Sequence, residues 1–119
     1  MARHQLAAEA EAELDEIWFY VASQSGDYEV ADHIIDQITE RFWLLAQRPH
    51  IGRQRDDLRP GLRSIPVGDY VIIYRLQGMR VYILHVLHGS RDIPKLIHFA
   101  TDRFQLQQNC LSYLKIVLV

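Results

Sequence analysis

The chain has 119 residues, a net charge of −2 and an apolar share of 49%, which fits one domain with one modest core. No stretch approaches the roughly 20 apolar residues of a membrane helix, and Glu9, Glu11 and Glu13 stand where a secretory signal needs an apolar run, so a cytoplasmic protein is expected. Cys110 is the only cysteine, which excludes an internal disulfide and fits a reducing compartment. The charge is unevenly spread. Residues 1–47 hold ten acidic and two basic side chains, whereas residues 48–95 hold nine basic and four acidic. A basic region on an acidic protein can meet an anionic partner, but the chain as a whole is not a basic nucleic-acid binder, and no sequence-specific nucleic-acid binding by the chain alone is expected.

In chain order, Arg3 to Leu6 reads as a short edge strand. Ala7 to Ser23 follows with Ala10, Leu14, Ile17, Trp18 and Val21 on one stripe, the spacing of an amphipathic helix. Its early acidic residues suit the helix dipole. Ser25-Gly26-Asp27 interrupts the pattern, with Gly26 suited to a left-handed C-terminal cap and Asp27 to the next N-cap. A second helix is expected from Tyr28 to Gln47, with Ala31, Ile35, Ile38, Phe42 and Leu45 on its apolar face and Pro49 beyond its end. So short a break implies an antiparallel helical hairpin.

Arg48 to Gly61 is polar and holds two Pro and two Gly, and reads as a crossing loop. Three strands are predicted after it: Leu62–Val67, Tyr70–Leu76 and Arg80–Leu87, joined at Gly68-Asp69 and Gly78-Met79. Val71, Ile73, Val81 and Ile83 are expected on one sheet face, opposite Tyr70, Ile72, Tyr82 and Leu84. By the same alternation His85 and His88 should face opposite ways. Gly89 turns the chain out of the sheet, and Pro94 should hold Ile93 extended. The expected architecture is α+β: a small, mainly antiparallel sheet with an N-terminal two-helix hairpin packed on one face. An uncovered second face invites an added strand or helix. Residues 98–119 form a separate stretch. Phe99 to Phe104 reads as a helix start, and Leu111–Val119 (LSYLKIVLV) is an apolar, β-prone segment that would need packing or pairing. One expectation is that it covers the second sheet face in cis.

Chemistry-bearing patterns are few. The sequence has no phosphate loop, no GxSxG and no HExxH, and neither a metal nor a cofactor is expected. Asp56 and Asp57 lie among Arg53, Arg55 and Arg59, where ion pairing is the first reading. Arg63, Arg75, Arg80 and Arg91 come from the three strands and the exit turn. They are candidates for contact with an anionic surface, since guanidinium binds carboxylate and phosphate bidentately. Tyr70, Tyr74 and Tyr82 read as packing residues.

The segments AEAELDEIWFYVA, RPHIGRQRDDLRPGLRSIPVGDYVIIYR and ILHVLHGSRDIPKL, in this order, resemble the type II toxin–antitoxin toxins of the ParE/RelE superfamily, and the ParE branch in particular. The resemblance spans about residues 5–97, so a toxin domain at 1–97 and a C-terminal extension at 98–119 are expected. It implies a toxin neutralised by a cognate antitoxin whose disordered C-terminal segment folds on the toxin. ParE-type members act on DNA gyrase, whereas RelE-type members cut messenger RNA in the ribosome. Laid over this chain, the middle-strand arginine of RNA-cleaving members falls at Val71 and their terminal tyrosine at Ile97, while Arg91 matches a basic position. The resemblance therefore implies gyrase inhibition without catalytic residues. The alternatives are a ribosome-dependent endoribonuclease, using His88 or His98, and an inactivated toxin that only binds its antitoxin. Arg63, Arg75, His88 and Arg91 are the expected target or antitoxin contacts.

Overall fold

A computed structural model describes residues 3–97, and the side chains of residues 4–97. The expectations for residues 98–119, including the cis cover, lie outside the described residues. The elements run β1 (Arg3–Leu6), α1 (Ala8–Ser25), α2 (Tyr28–Gln47), β2 (Arg53–Gln54), β3 (Leu62–Val67), β4 (Tyr70–Gln77) and β5 (Arg80–His88). They form one five-stranded sheet in the order β1-β5-β4-β3-β2. Only β1 runs parallel to its neighbour: Arg3 pairs with Arg80 and Leu6 with Ile83.

The helical hairpin forms for the reasons its sequence gives. Gly26 takes φ 69°, and its N–H reaches the Ala22 carbonyl at the end of α1, a conformation that costs a glycine little. The Asp27 carboxylate accepts from the Glu29 N–H at 2.9 Å and opens α2. Ala10, Ile17 and Val21 of α1 and Ala31, Ile38, Phe42 and Leu45 of α2 are buried against Val67, Tyr70, Ile72, Tyr74, Val81, Ile83 and Val86. Ile38, Leu45 and Ile72 are each 0% exposed. Truncating any of them to alanine removes about 2–5 kcal/mol of stability.

The second face is smaller and is covered from within the chain. Leu58, from the long loop, and Ile93 and Ile97, from a helical turn at 93–97, pack on Leu62, Ile73 and Leu87, with Val71, Leu84 and Leu96 at the margin. The turn begins at Asp92, whose carboxylate accepts from the Lys95 N–H. Ile93 is therefore helical and not extended. Pro94 falls in the first turn, where its missing N–H costs nothing.

The predicted face pattern holds on β4 and fails on β5. Val71 and Ile73 lie on the second face, but Val81 and Ile83 belong to the core beneath the helices. The turn at Gly78 pairs Leu76 with Val81 and Tyr74 with Ile83. Direct antiparallel partners share a face, so a two-residue turn reverses the parity between the strands. A bulge then inserts one residue of β5 between the pairs Tyr74–Ile83 and Ile73–His85. The bulge lies before His85 and alternation is regular after it: His85 pairs with Ile73 and His88 with Tyr70, which places the two histidines on opposite faces as expected. His85 bonds Glu13 of α1 at 3.0 Å, and His88 packs edge-on against Tyr70, whose ring also lies in the core beneath the helices.

Candidate functional site

The four basic candidates do not converge. Arg63, on β3, pairs across to Tyr74. Its guanidinium donates to the carbonyls of His50 and Gly52 at 3.2 and 2.9 Å. Tyr74 completes the same arrangement from below: its hydroxyl donates to the Pro49 carbonyl at 2.8 Å and accepts from the Gly52 N–H at 2.9 Å. The RPHIGR loop is thereby fastened to the sheet, and Arg63 spends one of its terminal nitrogens, Nη1, on that loop. A Cβ at position 52 would overlap the Tyr74 hydroxyl, which explains why glycine stands there. Burial raises the Tyr74 pKa above the ordinary phenol value, against the lowering effect of the Gly52 bond and the Arg63 charge.

Arg75 lies on the other side of the sheet. It pairs with Leu62 and Tyr82, and its guanidinium sits 5.4 Å from the Tyr82 ring centroid. Its Nε is buried without a hydrogen-bond partner among the described residues. In the long loop, Arg55 clasps Asp57 through two 3.1 Å contacts, which holds the Asp57 carboxyl below its ordinary pKa, the Arg55 hydrogen bond being the main cause. Ion pairing is thus the role of this carboxylate, and Asp56 accepts from the Gly61 N–H.

His88 and Arg91 do share a site. They line a cleft of about 480 Å³ between α1 and the end of β5, together with Glu13, Glu16, Tyr20 and Tyr70. Ile17, Val86 and Leu87 supply apolar walls. The Ser90 N–H donates to His88 Nδ1 at 3.1 Å, so the neutral ring carries its proton on Nε2. Glu13 holds the cleft together: one carboxylate oxygen accepts from the Val86 N–H at 2.9 Å and the other lies 3.0 Å from His85 Nδ1. β1 stops at Leu6, opposite Ile83, so Glu13 satisfies the edge of β5 where no strand continues. Burial raises the Tyr70 pKa, with a further push from Asp69 and Tyr20. The cleft brings the carboxylates of Glu13 and Glu16 on α1 together with the Arg91 guanidinium and the His88 ring beyond β5, a surface suited to binding a polar segment of a partner. Glu16 and Tyr20 carry no signal in the sequence, and Glu13 reads there only as a dipole-complementing residue on a helix.

A two-helix hairpin on one face of this sheet, with a cleft where helix meets strand, defines a small α+β domain. The same fold occurs in a chain of the solved structure described as the chromosomal ParDE TA system from P. aeruginosa. The TM-score is 0.66 at 24% identity, covering 74% of this chain and 96% of that one. The sequence narrows the class. The family described as the ParE toxin of type II toxin-antitoxin system, parDE, matches residues 5–93. This chain belongs to the ParE toxin family. It is 34% identical to Toxin ParE1 of Caulobacter vibrioides over 92 residues, 77% of this chain and 94% of that protein. It is 37% identical to Toxin ParE3 of the same organism over 81 residues, 68% of this chain and 80% of that protein. Toxin ParE1 of Mycobacterium tuberculosis is 30% identical over 95 residues, 79% of this chain and 96% of that protein.

Proposed function

We propose that this type II toxin inhibits DNA gyrase by binding and not by catalysis, in the cytoplasm, and that a cognate antitoxin neutralises it. The observation that carries the reading is the state of two positions. Val71 and Ile97 stand where the resemblance puts the arginine and the tyrosine of RNA-cleaving relatives, and both pack into the apolar cluster of the second face, Ile97 being 3% exposed. Neither can stabilise charge or move a proton at a scissile phosphate. Within the described residues the remaining candidate, His88, has Nδ1 engaged by Ser90.

The antitoxin is proposed to use the cleft and the basic sheet region next to it, with acidic side chains meeting Arg91. Arg91 is exposed, so Arg91→Ala should weaken antitoxin binding or toxicity with an unchanged melting temperature. Arg63→Ala should instead cost about 1–2 kcal/mol of stability, the value of its charged hydrogen bonds to the loop. The function itself is tested by induced expression in a bacterial host, with DNA breakage and messenger RNA integrity followed in parallel. DNA breaks and filamentation ahead of any loss of messenger RNA support the gyrase reading. Immediate messenger RNA cleavage would replace it with the endoribonuclease reading.

A further inference from the structure

Three side chains with polar heads lie in one row across the second sheet face. Arg75 of β4 pairs with Tyr82 of β5, and Tyr82 pairs with Gln5 of β1. Direct partners share a face, and Arg75 alternates with Tyr74, which lies in the core beneath the helices. The apolar cluster closed by Leu58, Ile93 and Ile97 includes none of the three.

The row is built around the Tyr82 ring. The Arg75 guanidinium lies 5.4 Å from the ring centroid, which restrains its plane. Yet Arg75 Nε is buried without a hydrogen-bond partner among the described residues, and so is Gln5 Oε1. A buried donor or acceptor left unpaired destabilises the chain that carries it. Two such atoms flanking one ring are accounted for by a ligand that supplies both partners.

The two atoms have opposite demands, since Nε–H donates and Oε1 accepts. A phosphodiester group offers acceptors only. A polypeptide offers both a carboxylate for the edge of the guanidinium and an amide N–H for the carboxamide oxygen. β1 and β4 flank β5, so the two anchors stand about 10 Å apart at the backbone, a span that about three residues of extended chain cross. Charge selects an acidic segment. Arg80 is exposed on the same face, paired with Gln77, and the five strands hold no Asp or Glu. The ion pairs among the described residues, Arg55–Asp57 and His85–Glu13, use neither Arg75 nor Arg80.

We propose that the Gln5–Tyr82–Arg75 row holds an extended acidic segment of the antitoxin, with a carboxylate on the edge of Arg75 and an amide N–H on Gln5. This contact rests on the antitoxin reading above and is separate from the cleft at Arg91. The free toxin carries two unsatisfied groups that the complex satisfies, so the row favours binding at the expense of the free chain's stability.

The test measures the affinity of the full-length toxin for its purified cognate antitoxin, with melting temperatures of the free toxin in parallel. The variants are Gln5→Leu, Arg75→Met and Arg75→Lys. Leu and Met keep most of the side-chain volume and remove the orphaned polar atom, so both free variants should melt at or above the parent temperature. Each should nevertheless bind the antitoxin tenfold or more weakly, whereas a purely structural role would lower stability and affinity together. Arg75→Lys keeps the cation and loses the planar fork, and should weaken binding as well. Parent-level binding by all three variants would overturn the row and leave the antitoxin reading standing. Failure of the parent to bind the antitoxin would overturn both. Free Gln5→Leu and Arg75→Met proteins that melt well below the parent would show the two atoms partnered within the chain itself, and would overturn the row whatever their affinity. A short DNA duplex bound by the parent and lost by Arg75→Met, with antitoxin binding unchanged, would reassign the row to nucleic-acid phosphates.

Discussion

Tyr74 is fully buried, and its hydroxyl, together with the Arg63 guanidinium, ties the loop at 49–52 to the sheet. Tyr74→Phe leaves the Gly52 N–H and the Pro49 carbonyl without that partner, and should cost about 1–3 kcal/mol, read as a fall in the denaturant midpoint at constant slope. The same residue has a pH signature. Its folded pKa is raised, chiefly by burial, so its contribution is complete below the ordinary tyrosine pKa of about 10 and is lost as pH rises through the folded value. The parent should therefore lose stability on the alkaline side faster than Tyr74→Phe. Tyr70, also raised by burial, leaves a residual alkaline slope in the variant. Gly52→Ala tests the same joint from the other side, and should destabilise the protein because the new methyl group displaces the Tyr74 hydroxyl.

At the scale of elements, β1 is the join between the helical layer and the sheet. It adds to β5 in parallel and docks on α2 through His4, whose ring lies 5.7 Å from Phe42 and 4.8 Å from Trp43. Burial lowers the His4 pKa. The folded state therefore prefers the neutral ring, and the stability this confers is present above the ordinary imidazole value of about 6.5 and lost as pH falls through the folded pKa. Melting temperatures compared at pH 7.5 and pH 5 should fall more for the parent than for His4→Phe, which has no proton to gain. Glu13 is the second join, because its carboxylate replaces a strand at the β5 edge. Glu13→Gln keeps an acceptor for the Val86 N–H, whereas Glu13→Ala does not, so hydrogen exchange at Val86 should accelerate in the alanine variant much more than in the glutamine variant.

At the scale of the molecule, acidic helices and a basic sheet region divide the surface into two fields, and the proposed acidic antitoxin segment belongs to the sheet side. Among the described residues the two apolar clusters draw on positions 6–97, and the family match ends at residue 93. We propose residues 1–97 as the toxin domain. A chain truncated after Ile97 should unfold in a single cooperative transition and keep its toxicity. Aggregation of the truncated chain, or a changed affinity for the antitoxin, would show instead that residues 98–119 cover part of the domain.

The sequence by itself determined the helical hairpin, its caps, the three long strands and even the edge strand at Arg3–Leu6. Each of these rests on local periodicity and on residues such as Gly26, Asp27 and Gly78, whose preferences act within a few positions. It also carried the family, through motifs spread along the chain. Tertiary structure decided what depends on partners distant in sequence. The turn parity puts Val81 and Ile83 on the helix side, reversing the face that alternation alone assigns. Arg63 looks like a surface cation until the carbonyls of His50 and Gly52 come within its reach, and Glu13 looks like a dipole residue until β5 ends beside it. The cleft exists only because a helix from residues 8–25 crosses the end of a strand from residues 80–88, a contact across more than half the chain that no local pattern encodes.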